Sequence, residues 1–231
     1  MRVAGTWLGW AAAVTMTAAL YLIFMVVPTE REMGIVQRIF YFHVPCWWVA
    51  YGGFFVVAVA SAVYLWNGSP AADHVAVAAA EVGVLFCTLG LVTGPLWARP
   101  IWGVWWTWDP RLTMSLILWA IYVAYLMLRA FGGEGEAVAR YAAVLGIVGI
   151  IDIPVIHYAV RLLQGIHPAV LRTREGGTGL ADPSMRAALY VASLAMILVG
   201  AWLVTLRVRT ERLAAAVAVL RREVEEEGVV V

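Results

Sequence analysis

Lysine is missing from this sequence, and charge of any kind is scarce: 16 arginines and 15 acids make up only 13% of 231 residues. A soluble domain carries about a quarter charged residues and is under half apolar. Here 63% of residues are hydrophobic and the mean hydropathy is +0.85, which excludes a soluble domain and identifies an integral membrane protein. The net charge of +1 argues against nucleic acid as a partner. Cysteine is sparse too. Cys46 and Cys87 lie far apart and form no C-x-x-C pair, so both read as apolar packing residues and not as a redox or metal centre. No P-loop, glycine-rich phosphate cradle or nucleophile-plus-base constellation is present, and no catalytic activity is expected.

Long apolar runs are what the chain has instead. A bilayer core takes about 20 apolar residues per helix. Six segments meet that length: Gly5–Val27, Phe42–Trp66, His74–Trp97, Leu112–Phe131, Val138–Val160 and Arg186–Leu206. The expectation is an all-α protein forming a single six-span membrane domain over residues 1–231, with residues 207–231 as a charged, helical C-terminal tail on the cytoplasmic side. The first segment is too long for a signal-peptide core and lacks a convincing cleavage site, so it reads as a membrane helix.

Asn67–Asp73 and Gly132–Glu136 are turn-like links. The three longer links, Pro28–Tyr41, Ala98–Arg111 and Arg161–Pro183, fall on the opposite side, and the function is expected there. Arginines divide eight against eight between the two sides, so a raw count does not orient the chain by the positive-inside rule. The cluster Arg207, Arg209 and Arg212 favours an inner C-terminus. The outer arginines then match either interfacial anchoring in lipid or an anionic ligand.

Trp97–Arg111 carries five of the twelve tryptophans in fifteen residues, W-A-R-P-I-W-G-V-W-W-T-W-D-P-R. Pro100 and Pro110 predict a short self-contained element between two longer helices. If Trp102–Asp109 is helical, Trp102, Trp105, Trp106 and Asp109 share a face; if it is extended, Trp102, Trp106 and Trp108 do. An interfacial aromatic belt accounts for one or two tryptophans per helix end. Four within seven residues point to a platform for a large flat apolar ligand.

Four histidines are present. His43 in F-Y-F-H-V-P and His167 in Q-G-I-H-P lie at the outer rim, while His157 is inside the fifth span and His74 starts the third on the inner side. A single histidine is more often a hydrogen-bonded structural residue than a ligand. Two rim histidines, a tryptophan platform and surplus arginines nevertheless supply what haem needs: iron ligands, an apolar surface and partners for two propionates. Two acids, Glu81 and Asp152, lie inside apolar spans. Glu81 is expected to pair internally or stay protonated, and Asp152 to satisfy backbone groups freed by Pro154.

The run W-G-V-W-W-T-W-D-P-R-L-T resembles the tryptophan-rich signature of the haem-handling membrane proteins of cytochrome c maturation. With the lead-in L-V-T-G-P-L-W-A-R-P and six spans, nearly the whole chain resembles the CcmC family within that group. F-H-V-P matches that family's first external histidine at His43, and P-V-I-H-Y-A-V followed by H-P matches its second at His167. Leu162 and Leu163 stand where the family usually has a tryptophan pair, and Pro168 where glutamine is common.

The resemblance implies a multi-pass protein of the bacterial cytoplasmic membrane that takes haem b transiently, as cargo, on its outer face. It would present that haem to the periplasmic chaperone CcmE, beside the small subunit CcmD and the ABC transporter CcmA–CcmB. His43 and His167 would be the axial iron ligands, and Trp102, Trp105, Trp106, Trp108 and Asp109 the haem and partner surface. Arg99 and Arg111 are the expected propionate contacts. Two rivals remain at this level: a membrane b-type cytochrome, which needs paired histidines at mid-membrane, and a haem transporter, which needs broken helices and polar midplane groups.

Overall fold

A computed structural model describes residues 2–133, 135–162, 180 and 182–226. The expected second ligand His167, with its Pro168, lies outside the described residues. The described residues form seven α-helices: α1 (Arg2–Tyr21), α2 (Phe40–Asn67), α3 (Pro70–Trp102), α4 (Pro110–Phe131), α5 (Glu136–Gly149), α6 (Asp152–Leu162) and α7 (Pro183–Glu226). A π-helical turn, Leu22–Val26, prolongs α1, and a 3-10 turn, Ile35–Ile39, leads into α2. The described residues hold six helical segments long and apolar enough to cross a membrane, with α5 and α6 together forming the fifth.

Helix α3 is the hub, with its longest contact along α2 and further contacts to α4 and α7. Its run Ala76–Ala80 is wholly buried, and these small side chains let neighbouring backbones approach, as membrane helices require. At the tightest point a side chain on Gly53 would meet the backbone of Ala79 and Gly83 at 3.2 Å. Around this crossing the rings of Phe54 and Tyr122 stack at 3.7 Å, and the Tyr122 hydroxyl donates to the Gly146 carbonyl at 2.9 Å.

One end of the bundle is closed by ion pairs. Arg129 at the end of α4 meets Asp73 at the start of α3 at 2.6 Å. Arg207 of α7 donates two hydrogen bonds to Glu81 of α3 and also pairs with Glu211. Glu81 thus pairs internally, one of the two expected outcomes. Exposed apolar side chains cover the flanks, and Trp66 and Phe131, at the ends of α2 and α4, are the most exposed of the large ones among the described residues.

The structure revises three boundaries. Helix α3 continues through Pro95 and Pro100 to Trp102, so the tryptophan stretch is no self-contained element and only residues 103–109 lie outside helices. Each proline removes one backbone hydrogen bond. Packing of buried Trp97 edge-on against Phe40 holds the final turns despite that loss. The fifth span is broken at Ile150–Ile151, where Pro154 cannot donate to the preceding turn. Finally, the sixth span and the expected tail form one 44-residue helix, about 66 Å long at 1.5 Å per residue, which outruns a bilayer core of about 30 Å.

Candidate functional site

At the bundle end away from the ion pairs, the start of α2, the end of α3, the start of α4 and α6 surround a cavity of about 320 Å³. That volume is at the lower end of the range for small-molecule sites. Its walls are rich in aromatic side chains: Trp47, Trp48 and Tyr51 from α2, Trp97 and Trp102 from α3, and Trp105 and Trp106 from the following loop.

The loop is shaped by its two ends. Gly103 adopts φ +75°, where a side chain is strained, and its N–H donates to the Arg99 carbonyl at 3.0 Å, closing α3. Arg99 folds back, and its guanidinium donates to the Gly103 carbonyl. At the other end Asp109 is the N-cap of α4: its Oδ1 accepts from the Arg111 N–H at 2.9 Å and the Leu112 N–H at 3.3 Å, with Pro110 at the first helical position. Between these anchors the chain is irregular, neither helical nor a strand. Trp106 and Trp108 meet edge-on at 80°, so the tryptophans do not form one flat plane.

Of the loop residues singled out from the sequence, Trp102, Trp105, Trp106, Asp109 and Arg111 line the cavity. Trp108 and Arg99 are not among its walls; Trp108 is 75% exposed, and Arg99 is held on Gly103. The indole N–H of Trp106 is buried and has no hydrogen-bond partner among the described residues. A buried orphan donor is costly and rare, and at the wall of a cavity it suits an acceptor group on a ligand.

His43 lies on the same wall, buried, with its ring edge-on to Trp97 at 5.9 Å. Its hydrogen bonds define its tautomer. The Thr93 hydroxyl donates to the Leu89 carbonyl at 2.7 Å and so faces His43 as an acceptor. His43 Nδ1, 2.9 Å from that oxygen, therefore carries the proton. Nε2 is left as the acceptor, and the Trp47 indole N–H reaches it at 3.3 Å. A neutral imidazole with Nδ1–H anchored and Nε2 unprotonated is the form that binds a metal.

The structure also brings His157 to the cavity wall, which its position inside the fifth span did not suggest. Its Nδ1 donates to the Ile153 carbonyl at 2.9 Å, and its ring lies 5.6 Å from Tyr51. Trp47, Tyr51 and Thr93 are not among the expected site residues, and Trp97 is expected only as the start of the tryptophan stretch. Trp47 and Tyr51 follow His43 at i+4 and i+8 on α2, a spacing that could have revealed them. Thr93 falls within the lead-in L-V-T-G-P-L-W-A-R-P, but its role depends on how α2 and α3 pack.

Comparison with known proteins places residues 1–224 within a family model described as "Heme exporter protein C", CcmC. The "Heme exporter protein C" of Escherichia coli (strain K12) is 32% identical over 203 residues, covering 88% of this chain and 81% of that protein. The protein of the same name from Bradyrhizobium diazoefficiens is 35% identical over 218 residues, covering 94% and 80%. A "Putative cytochrome c biosynthesis ccmC-like mitochondrial protein" of Marchantia polymorpha is 34% identical over 149 residues, covering 64% and 63%.

Proposed function

Because this chain belongs to the heme exporter protein C family, CcmC, we propose that it serves cytochrome c maturation as a membrane platform that holds haem and hands it on. The observation that carries this reading is His43: a buried histidine with its Nδ1–H anchored on Thr93, in the wall of an aromatic cavity. Haem b is the cargo. The neutral Nε2 supplies one iron ligand, and His167 is assigned the second on the family resemblance alone. Trp97, Trp102, Trp105 and Trp106 provide apolar surface for the macrocycle, while Arg111 and the Trp106 N–H meet its carboxylates.

The site lies at the end of the bundle remote from the Arg207–Glu81 and Arg129–Asp73 pairs. In the proposed orientation that end faces the periplasm of the bacterial cytoplasmic membrane, with both termini cytoplasmic. The exposed Trp108 edge of the loop then meets the receiving chaperone, CcmE, while CcmD and the ABC transporter CcmA–CcmB contact the flanks. The chain binds, orients and shields the cargo and makes no bond itself.

The test is haem content and absorption spectrum of the purified protein beside its His43→Ala and His167→Ala variants. Both variants are expected to lose haem or shift its spectrum; unchanged spectra in both would end the rim-site reading and make His157 the candidate ligand. A transport reading draws on one feature, the broken fifth span with buried Asp152, whose Oδ2 has no hydrogen-bond partner among the described residues. Haem movement across vesicles holding this protein alone would favour transport over presentation.

A further inference from the structure

A protein that hands its cargo on must let go of it. The same hydrogen-bond chain that prepares His43 supplies a means. Thr93 fixes the proton on Nδ1, so Nε2 is the atom left for a metal. That atom is already engaged: the Trp47 indole N–H donates to it at 3.3 Å, within one turn of α2. An indole N–H is a donor only and cannot itself bind iron. The indole and an iron atom therefore compete for one lone pair.

The face of α3 is cut to hold the competitor in place. A side chain on Gly90 would come within 2.7 Å of the Trp47 ring, and one on Gly94 would meet the His43 ring at 3.4 Å. Gly90, Thr93 and Gly94 thus seat the indole, fix the tautomer and admit the imidazole, in that order along one helix face. On its other side the Trp47 ring rests against Tyr51 at 5.6 Å.

We propose that Trp47 is a built-in competitor for the iron ligand: its indole N–H occupies His43 Nε2 in the empty site, yields it to iron, and reclaims it as haem leaves. The inference rests on the reading of His43 as an iron ligand. Its consequence is that the native residue weakens retention, so removing the indole N–H strengthens it. The effect expected is that of one net hydrogen bond, about fivefold.

The experiment equilibrates haem between the purified full-length protein and a fixed concentration of apomyoglobin, for wild type, Trp47→Phe, Gly90→Ala and His43→Ala, and reads the partition from the absorption spectrum. The Trp47→Phe variant keeps an aromatic ring but no donor, whereas Gly90→Ala pushes the indole off its seat without deleting it. Both variants are expected to hold haem about fivefold more tightly than wild type, while H43A holds it more weakly. If W47F or G90A, with native helix content, binds haem no more tightly than wild type, the competitor is overturned. If only one of the two retains native helix content, its affinity alone decides. Wild-type retention in H43A would overturn the His43 reading itself, and this inference with it.

Discussion

Arg99 and Arg111 stand at the two rims of one tryptophan loop, and in the sequence they are equivalent. The fold separates them. Arg111 lines the cavity, while Arg99 is held by the carbonyl of the glycine that ends α3. A charge-assisted hydrogen bond to a ligand carboxylate contributes about 1.5–3 kcal/mol. Arg111→Ala should therefore weaken haem binding roughly tenfold or more in an absorption titration, by that principle. Arg99→Ala should stay within about twofold of wild type, since its guanidinium serves the loop backbone. Equal losses would put both guanidinium groups on the ligand. At this scale residue types and rim position could be read from the sequence, because spans and prolines mark the rims. The partner of each side chain could not, since Thr93 and His43 are fifty residues apart and meet only through the register of α2 on α3.

Asp109 shows how an element's end and a binding wall can be the same residue. It lines the cavity, yet its Oδ1 caps the first turn of α4. Loss of an N-cap costs about 1 kcal/mol, while asparagine caps nearly as well as aspartate. Asp109→Ala should lower thermal stability in detergent and reduce haem content by releasing the loop. Asp109→Asn should retain both near wild type if the carboxylate acts as a cap. If D109N keeps its stability but loses haem, the negative charge serves the ligand or the acceptor directly. The same element shows where reading by local signals stops. Pro100 is a strong helix breaker in isolation, yet α3 passes it because Trp97 is buried against Phe40. The span count followed from length and hydropathy, whereas the broken fifth span shows only a proline signal at Pro154, which fits a kink as well as a break.

Across the whole molecule, the polar groups sort to opposite ends. The Asp73–Arg129 and Glu81–Arg207 pairs lock α3, α4 and α7 together at one end, and the aromatic cavity opens at the other. Counting arginines could not orient this arrangement, because the spans read from the sequence assign eight to each side. The proposed orientation rests instead on α7, which carries Arg207, Arg209 and Arg212 without a break into a charged extension too long for the bilayer. With that extension inside, the cavity end faces outward. Single-cysteine labelling tests this cleanly, since Cys46 and Cys87 are both buried in the core and give little background. A membrane-impermeant maleimide applied to intact spheroplasts should label Thr107→Cys in the cavity loop and leave Ser69→Cys, between α2 and α3, unlabelled until the membrane is opened. The reverse pattern would put the cavity on the cytoplasmic side. Haem would then have to be collected at that face and moved, and the broken fifth span with its buried Asp152 would take over from the tryptophan loop as the centre of the mechanism.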